Sequence, residues 1–351
     1  MLCQLCKALD ISAADFANHG DGLNAAKYEE RHDLGKLSDL RARAEGCDLC
    51  WLILDAVGNP APHDTEDHNG TLYWEDDGFV TWKDHATVRR LGVGMRPWPP
   101  GFHERNMITC LSRDIRGFND ELFLGRERAK RSIKPGLMRK WLRLCRSWHA
   151  GVCDQALTPR ENHPASTAPF RVIDCWSLCL SDLPTGGEYL ALSYVWGKAP
   201  VFMLTAARET GLEEPGGLKP VWTLLPATIR DAVVVTSKLR QRYLWVDSVC
   251  IVQDDAAEKR RLIPQMDAIY DQALLVIVAA SGEHANAGLP GVRKGAQMHQ
   301  PMREVVPGLH LMPQKHLVDL LEHSYYETRG WTYVASTSFI ARSHFLKRLQ
   351  Y

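Results

Sequence analysis

Residues 189–197 read YLALSYVWG, and the fold turns on them. Apart from Ser193 the run is apolar at nearly every position, so a strand here would be covered on both faces, as in a parallel sheet flanked by helices. Gly197 ends it. The same kind of run returns twice. Residues 243–252 (YLWVDSVCIV) read as a near-continuous buried strand with one acid in it, Asp247, and residues 274–280 (LLVIVAA) as a third, followed by Ser281 and Gly282. Between the first two, Leu225-Pro226-Ala227 puts proline in the first turn of a helix on which Ile229, Ala232, Val233, Thr236 and Leu239 recur at helical spacing. Between the second and third, Asp255 and Glu258 have the form of a reciprocal helix cap. Leu262, Met266, Ile269, Tyr270 and Ala273 supply that helix's apolar face, and Pro264 should kink or restart it. Three strands joined by helices predict an α/β unit with a doubly wound parallel sheet and right-handed crossovers.

Outward from this unit the chain changes character. Residues 159–169 (PRENHPASTAP) have linker composition and place a boundary near residue 165. Before it, residues 126–146 carry nine basic residues and one acid, with Leu137, Trp141, Leu144 and Cys145 on one helical face. Such a helix can contact phosphate or acidic lipid, although the outer face of any packed helix is also charged. TLYW and FVTW flank EDDG and predict a hairpin turning at Asp77-Gly78. A loop follows around Pro97, Pro99 and Pro100. Residues 58–70 are rich in turn formers and acids. Residues 1–57 suit a small helical or irregular module, with Leu34, Leu37 and Leu40 at near-helical spacing. The division expected is therefore 1–57, 58–165, 166–333 and an atypical end at 334–351, the middle regions being mixed α+β and then α/β.

Composition narrows the function. The 351 residues are 45% hydrophobic and 24% charged, and 42 basic residues balance 42 acidic ones, so no net field draws the chain to nucleic acid or anionic lipid. The longest apolar run, residues 274–280, is far below the roughly 20 residues of a membrane helix. The first residues, MLCQLCKALD, lack the pattern of a secretion signal. A soluble, cytoplasmic protein is expected, in which the ten cysteines are thiols or metal ligands.

In sheets of this kind ligands collect beyond the carboxyl ends of the strands. Ser193 and Asp247 interrupt two strands there. A buried carboxylate must be paired, hydrogen-bonded or at a cleft rim, which makes Asp247 the first catalytic candidate. Glu258 is a second, with reciprocal capping to Asp255 as its plainer role, and Glu283, just beyond the third strand, is another. Cys250 with His284 would suit a thiol nucleophile, but strand alternation sets Cys250 on the face of Leu244, Val246 and Val252, away from Asp247, and favours a core role. Gly-x-Ser-x-Gly, a phosphate loop and His-Glu-x-x-His are all absent, and Gly92-Val93-Gly94 alone is too weak to mean dinucleotide binding. Cys3, Cys6, Cys47 and Cys50 form two Cys-x-x-Cys pairs that could close one structural zinc site, with His32 as a substitute ligand. Cys145, His149 and Cys153 recur at helical spacing, more simply read as packing.

Six segments then point to a family: YLALSYVWG at 189–197, LPATIRDAV at 225–233, RYLWVDSVCIVQDD at 242–255, MDAIYDQA at 266–273, AASGEHANAGLPGV at 279–292 and RGWTY at 329–333. In identity, order and spacing they resemble the fungal heterokaryon incompatibility, or HET, domain over residues 189–333. The segments WLRLCRSWHAGVC and FRVID, and the amino-terminal LCQLC and HDLGKLSDLRARAEGCDLC, also resemble what precedes that domain. After RGWTY the family usually continues with Gln-Glu and a basic, aromatic segment. Here Val334-Ala335-Ser336 follows, which reads as a truncated or mis-spliced end.

The resemblance implies non-self recognition and regulated cell death, through self-association or another incompatibility protein. It also implies a distant likeness to TIR domains, with a TIR-like or flavodoxin-like parallel sheet. Some TIR domains cleave the nicotinamide–ribose bond of NAD. On that likeness Ser193, Tyr194, Trp196 and Gly197 would bind NAD, and Asp247, Glu258 or Glu283 would stabilise the oxocarbenium-like sugar. A zinc-dependent nucleic-acid binder, built from the amino-terminal cysteines and residues 126–146, is a weaker alternative.

Overall fold

The computed structural model of the chain describes residues 1–18, 25–58, 68–76, 87–96, 106–115, 124–127, 133–148, 169–293, 300–314, 321 and 324–328. They form two compact units, one from the described residues of 1–128 and 299–320, the other from those of 129–298 and 321–347. The FVTW segment, the Asp77-Gly78 turn, the loop around Pro97 to Pro100, His149, Cys153, the linker apart from Pro169, the boundary near 165 and RGWTY all lie outside the described residues. Among the described residues no helix is long and apolar enough to cross a membrane.

The first unit is an antiparallel sheet with helices against it. Its strands are β1 (Ala17–Asn18), β2 (Arg31–Lys36), β3 (Asn69–Asp76), β4 (Thr87–Arg96), β5 (Asn106–Cys110), and a hairpin from later in the chain, β11 (Arg303–Val306) and β12 (Leu309–Gln314). Their order is β11-β12-β5-β4-β3-β2, with β1 also paired to β4. The strand that answers β3 is thus β4, in register from Asn69↔Arg96 to Asp76↔Arg89. Gly92 faces Tyr73 and Gly94 faces Thr71 across that pair; a Cβ at Gly92 would stand 2.5 Å from the Tyr73 ring. These glycines make room for a cross-strand aromatic, so Gly92-Val93-Gly94 is mid-strand sequence and no phosphate loop. Leu34, expected to share a helical face with Leu37 and Leu40, lies in β2, because the helix begins only at Leu37.

The helices of this unit that matter below are α1 (Gln4–Ala8), α2 (Leu37–Ala44) and α3 (Asp48–Ala56). Leu49, Leu52 and Ile53 of α3 are fully buried in one cluster with Leu72, Leu91, Ile108 and Leu311 of the sheet. Each such side chain contributes about 1.5–3 kcal/mol on burial.

The second unit is mixed α/β. Helix α4 (Pro135–Trp148) comes first, then β6 (Arg171–Asp174), β7 (Cys179–Asp182), β8 (Tyr189–Ser193), α5 (Ala206–Glu213), α6 (Ala227–Lys238), β9 (Tyr243–Trp245), α7 (Asp247–Cys250), α8 (Ala256–Leu262), α9 (Met266–Gln272) and β10 (Leu275–Val278). The sheet order is β10-β8-β9-β6-β7. β8 pairs in parallel with β9 and with β10, so the middle strand of this parallel trio is the two-faced apolar run, all five of whose residues are buried. The sheet is not wholly parallel: β6 lies antiparallel to β9 and to β7. Asp174 holds the β6–β7 turn by accepting from the Trp176 and Ser177 amides and pairing with Arg242.

Two local expectations need correction. Residues 243–252 are not one strand. β9 stops at Trp245, and the chain then makes a single helical turn with the Cys250 amide 2.7 Å from the Val246 carbonyl. The expected cap is one-sided: Asp255 accepts from the Ala257 and Glu258 amides, while the Glu258 carboxylate turns to Arg171. Pro264 does restart the helix, through a short 3-10 turn at Ile263–Gln265 between α8 and α9.

Candidate functional site

The carboxyl ends of β8, β9 and β10 form one rim, and the rim is built from residues that follow directly from the strand register. Ala191 pairs with Trp245, the last residue of β9, with Asp247 two residues beyond it at the start of a helical turn, and Val278 pairs with Ser193, the last residue of β8. Beneath the rim Trp245 is fully buried and meets Tyr270 edge to face at 5.6 Å.

Asp247 opens the one-turn helix α7. Its Oδ1 accepts from the Ser248 amide at 2.7 Å, and the indole Nε1 of Trp196 donates to its Oδ2 at 3.0 Å. Gln253 fixes the same turn by donating to the Asp247 and Ile251 carbonyls. The half-buried carboxylate is thereby oriented by an aromatic donor and a backbone amide. Next to it Tyr194 and Ser248 share a hydrogen bond at 2.9 Å, and Ser193 and Tyr326 share one at 2.5 Å. All four of these hydroxyl residues are buried. Burial pushes the Tyr194 hydroxyl well above its ordinary value, and the Asp247 charge adds to the shift. It stays protonated, a donor that cannot serve as base near neutral pH.

The loop after β10 closes over this rim. Gly197 has φ +78°, and a Cβ there would lie 2.6 Å from the Cβ of His284 and 3.1 Å from its Cα, so the glycine lets the loop cross the end of β8. The Ala285 amide donates to the Trp196 carbonyl at 3.2 Å. The loop is also pinned to the start of α6, where Pro226 offers no side-chain cap. Asn286 Oδ1 accepts from the Ala227 amide at 3.1 Å and the Ala285 carbonyl from the Thr228 amide at 3.0 Å. Thr228 Oγ1 accepts from the Gly288 amide at 3.0 Å. Asp231, buried on α6, accepts from the Leu289 amide at 2.8 Å and pairs with Arg293 at 3.0 Å.

These contacts distribute the candidate residues. Asp247, Ser193, Tyr194, Trp196 and Gly197 come together; Ser193 and Tyr194 are buried in hydroxyl pairs, which leaves the partly exposed Trp196 and the exposed Gly197 facing outward. Glu283 is exposed on the loop beside Gly197. Glu258 has a different setting: Arg171 bridges it at 2.7 Å and also pairs with Glu209. Cys250 is buried in the helical turn, not on a strand face, and so its separation from Asp247 by strand alternation does not apply. Its thiol is pushed up to about 12 by burial, while His284 is exposed and accepts from the Asn286 amide. Thr228, Asp231, Asn286 and Arg293 were not singled out from sequence. The signal for them was the pairing of LPATIRDAV with AASGEHANAGLPGV, two segments that prove to bind each other.

In the first unit, Cys3 and Cys6 flank the start of α1, and Cys47 and Cys50 the start of α3. The two Cys-x-x-Cys turns meet: the four Sγ atoms lie within 4.8 Å of one another. Cys6 is 3.6 Å and Cys3 3.8 Å from Cys50, sulfur to sulfur. A disulfide needs about 2.05 Å. A tetrahedral zinc with Zn–S of about 2.3 Å needs sulfurs about 3.8 Å apart. The four cysteines could therefore hold a metal. Among them Cys47 is pulled down by hydrogen bonds from the Cys50 and Cys6 thiols, whereas the bond to Cys47 raises Cys6 and raises Cys50 to about 12. His32, in β2, is not part of the group.

Residues 189–334 match the family described as Heterokaryon incompatibility protein (HET), so the matched segment runs from the first residue of β8 through the rim, the closing loop and Tyr326. No curated protein and no solved structure gives a significant match.

Proposed function

We propose that a chain whose residues 189–334 match the heterokaryon incompatibility family works as a cytoplasmic signalling protein of fungal non-self recognition, with residues 166–333 as the segment that triggers regulated cell death. The observation that carries the reading is the convergence of the matched motifs on one rim: YLALSYVWG supplies Trp196 and Gly197, RYLWVDSVC supplies Asp247, which Trp196 holds, and AASGEHANAGLPGV packs on Trp196 and Gly197 while bound to LPATIRDAV. A rim that rigid, on a unit with an exposed loop, suits contact with a second copy or with another incompatibility protein. Inducible expression in a fungal host tests it. The full chain should kill, and Asp247→Asn and Trp196→Phe, at equal protein levels, should reduce killing sharply. Undiminished killing by both variants would remove the rim from the mechanism.

A second reading rests on the Asp247 carboxylate itself, oriented beside an indole just past the ends of parallel strands. There it would stabilise the positive sugar formed as nicotinamide leaves NAD. Nicotinamide release by the concentrated, assembled protein, lost in Asp247→Asn, supports this reading; absence of turnover excludes it.

The cysteine cluster fits a structural zinc, with Cys3, Cys6, Cys47 and Cys50 as thiolate ligands. Bound there, zinc would tie α1 to α3 and hold the amino-terminal turn on the first unit's core.

A further inference from the structure

Helix α4 carries Arg139, Arg143 and Arg146, spaced four and three residues apart, which places three guanidinium groups in a row along about 10 Å of one face. With the turn that ends α6 they line a groove of about 510 Å³, completed by Leu142, Leu239 and Arg240. The groove sits at the amino end of β9, since Arg240 precedes Tyr243, whereas Asp247 lies past its carboxyl end. It is a second site, separate from the rim.

Its charge is unbalanced. Arg146 pairs with Glu188 at 2.5 Å, and Arg139 donates to the Lys238 carbonyl at 2.6 Å. No carboxylate among the described residues pairs with Arg143 or Arg240, both exposed at the mouth. Neutralising the carboxyl end of α6 requires only one cation, and Arg139 already supplies it.

The turn gives an independent indication. The Arg240 amide bonds to the Ser237 carbonyl at 3.0 Å and the Gln241 amide to the Thr236 carbonyl at 3.1 Å, the pattern of a Schellman motif. In that motif the residue after the cap takes a left-handed conformation and is usually glycine. Here it is Arg240, at φ +61°. A side chain in that region costs about 1–2 kcal/mol, and an exposed arginine recovers none of it by packing. What the position gains is a cation at the mouth of the groove.

We propose that this groove binds a small anion carrying two or more phosphates, of the nucleoside diphosphate or triphosphate class. Planar guanidinium groups grip phosphate oxygens two at a time, Arg143 and Arg240 offer two such groups to a short phosphate chain, and Leu142 and Leu239 offer an apolar wall to a nucleoside. The volume is in the usual range for small-molecule sites. The site is independent of the incompatibility reading and stands or falls without it.

Calorimetric titration of the full chain in about 0.1 M salt, with ATP and with inorganic tripolyphosphate, tests the proposal. Saturable binding of one anion per chain is expected, weakened about tenfold or more by Arg143→Ala and by Arg240→Gly and unchanged by Arg260→Ala on α8. Arg240→Gly relieves the left-handed strain, so it should fold at least as stably as the parent, and its loss of binding cannot be a loss of structure. Tighter binding of ATP than of tripolyphosphate places the nucleoside on the leucines; equal binding assigns recognition to the phosphates alone. The proposal is overturned if neither anion binds at millimolar concentration or if the arginine variants keep full affinity. Binding only to single-stranded RNA or to phosphatidylserine vesicles would overturn it equally.

Discussion

Replacing Gly197 by alanine should cost the second unit far more than the same replacement at Gly186. Both glycines have left-handed backbones, φ +78° and +73°, so each pays the penalty of a side chain in that region, about 1–2 kcal/mol. At Gly186 a Cβ would meet nothing within 4 Å, and the penalty ends there. At Gly197 it would sit 2.6 Å from the Cβ and 3.1 Å from the Cα of His284. These atoms are backbone or next to it and cannot swing away, and the loop that holds them is pinned by Asn286, Thr228 and Asp231. Forced overlap of this kind adds about 1–3 kcal/mol. The total for Gly197→Ala is about 2–5 kcal/mol, against about 1–2 for Gly186→Ala. Urea unfolding of the two variants, followed by tryptophan fluorescence, measures the difference directly. Equal destabilisation would refute the claim that the loop crosses the end of β8 at contact distance, and with it the rim as described.

Metal analysis of protein purified without chelator should find one zinc per chain, lost in Cys6→Ser and in Cys50→Ser; a strong chelator should lower the parent's melting temperature and leave that of the variants unmoved. Asp231→Ala should destabilise by about 1–3 kcal/mol, because it strands the Leu289 amide and releases the exposed Arg293 from the loop; urea midpoints within a few tenths of a molar of the parent would contradict the pinning of the loop. Burial opposes ionisation of Asp174, but hydrogen bonds from Arg242 and from the Ser177 and Trp176 amides outweigh it and hold the carboxyl below its ordinary value. Its contribution is therefore complete above the ordinary carboxylate range and lost as pH falls through the depressed folded value. Stability of Asp174→Asn measured against pH should show a flatter acid limb than the parent's.

How much of this was legible in the chain depended on the range of the interaction. β8 and β10 could be read from runs apolar on both faces, and the cysteine cluster from two Cys-x-x-Cys pairs, since both signals are local. The end of β9 could not, because an apolar run such as VDSVCIV looks the same whether it continues a strand or turns into a buried helix. β6 and β7 have four residues each, too few to show a period. β4 was hidden by Arg89, Arg90 and its two glycines, whose fitness for a strand depends on Tyr73 across the sheet. The bridge from Arg171 to Glu258 spans 87 residues and leaves no trace in either neighbourhood. Asp231 was overlooked for a related reason: on α6 it looks like an outward charge, and only the returning loop makes it an inward one.

The order β10-β8-β9 also bears on how this chain is made. β8 is complete at residue 193, yet its two neighbours are residues 243–245 and 275–278. At ribosomal rates of about 5–20 residues per second, the middle strand waits several seconds for its first partner and longer for its second. Throughout that interval an apolar segment with two open edges is exposed to other nascent chains, an invitation to clumping that the finished molecule no longer displays.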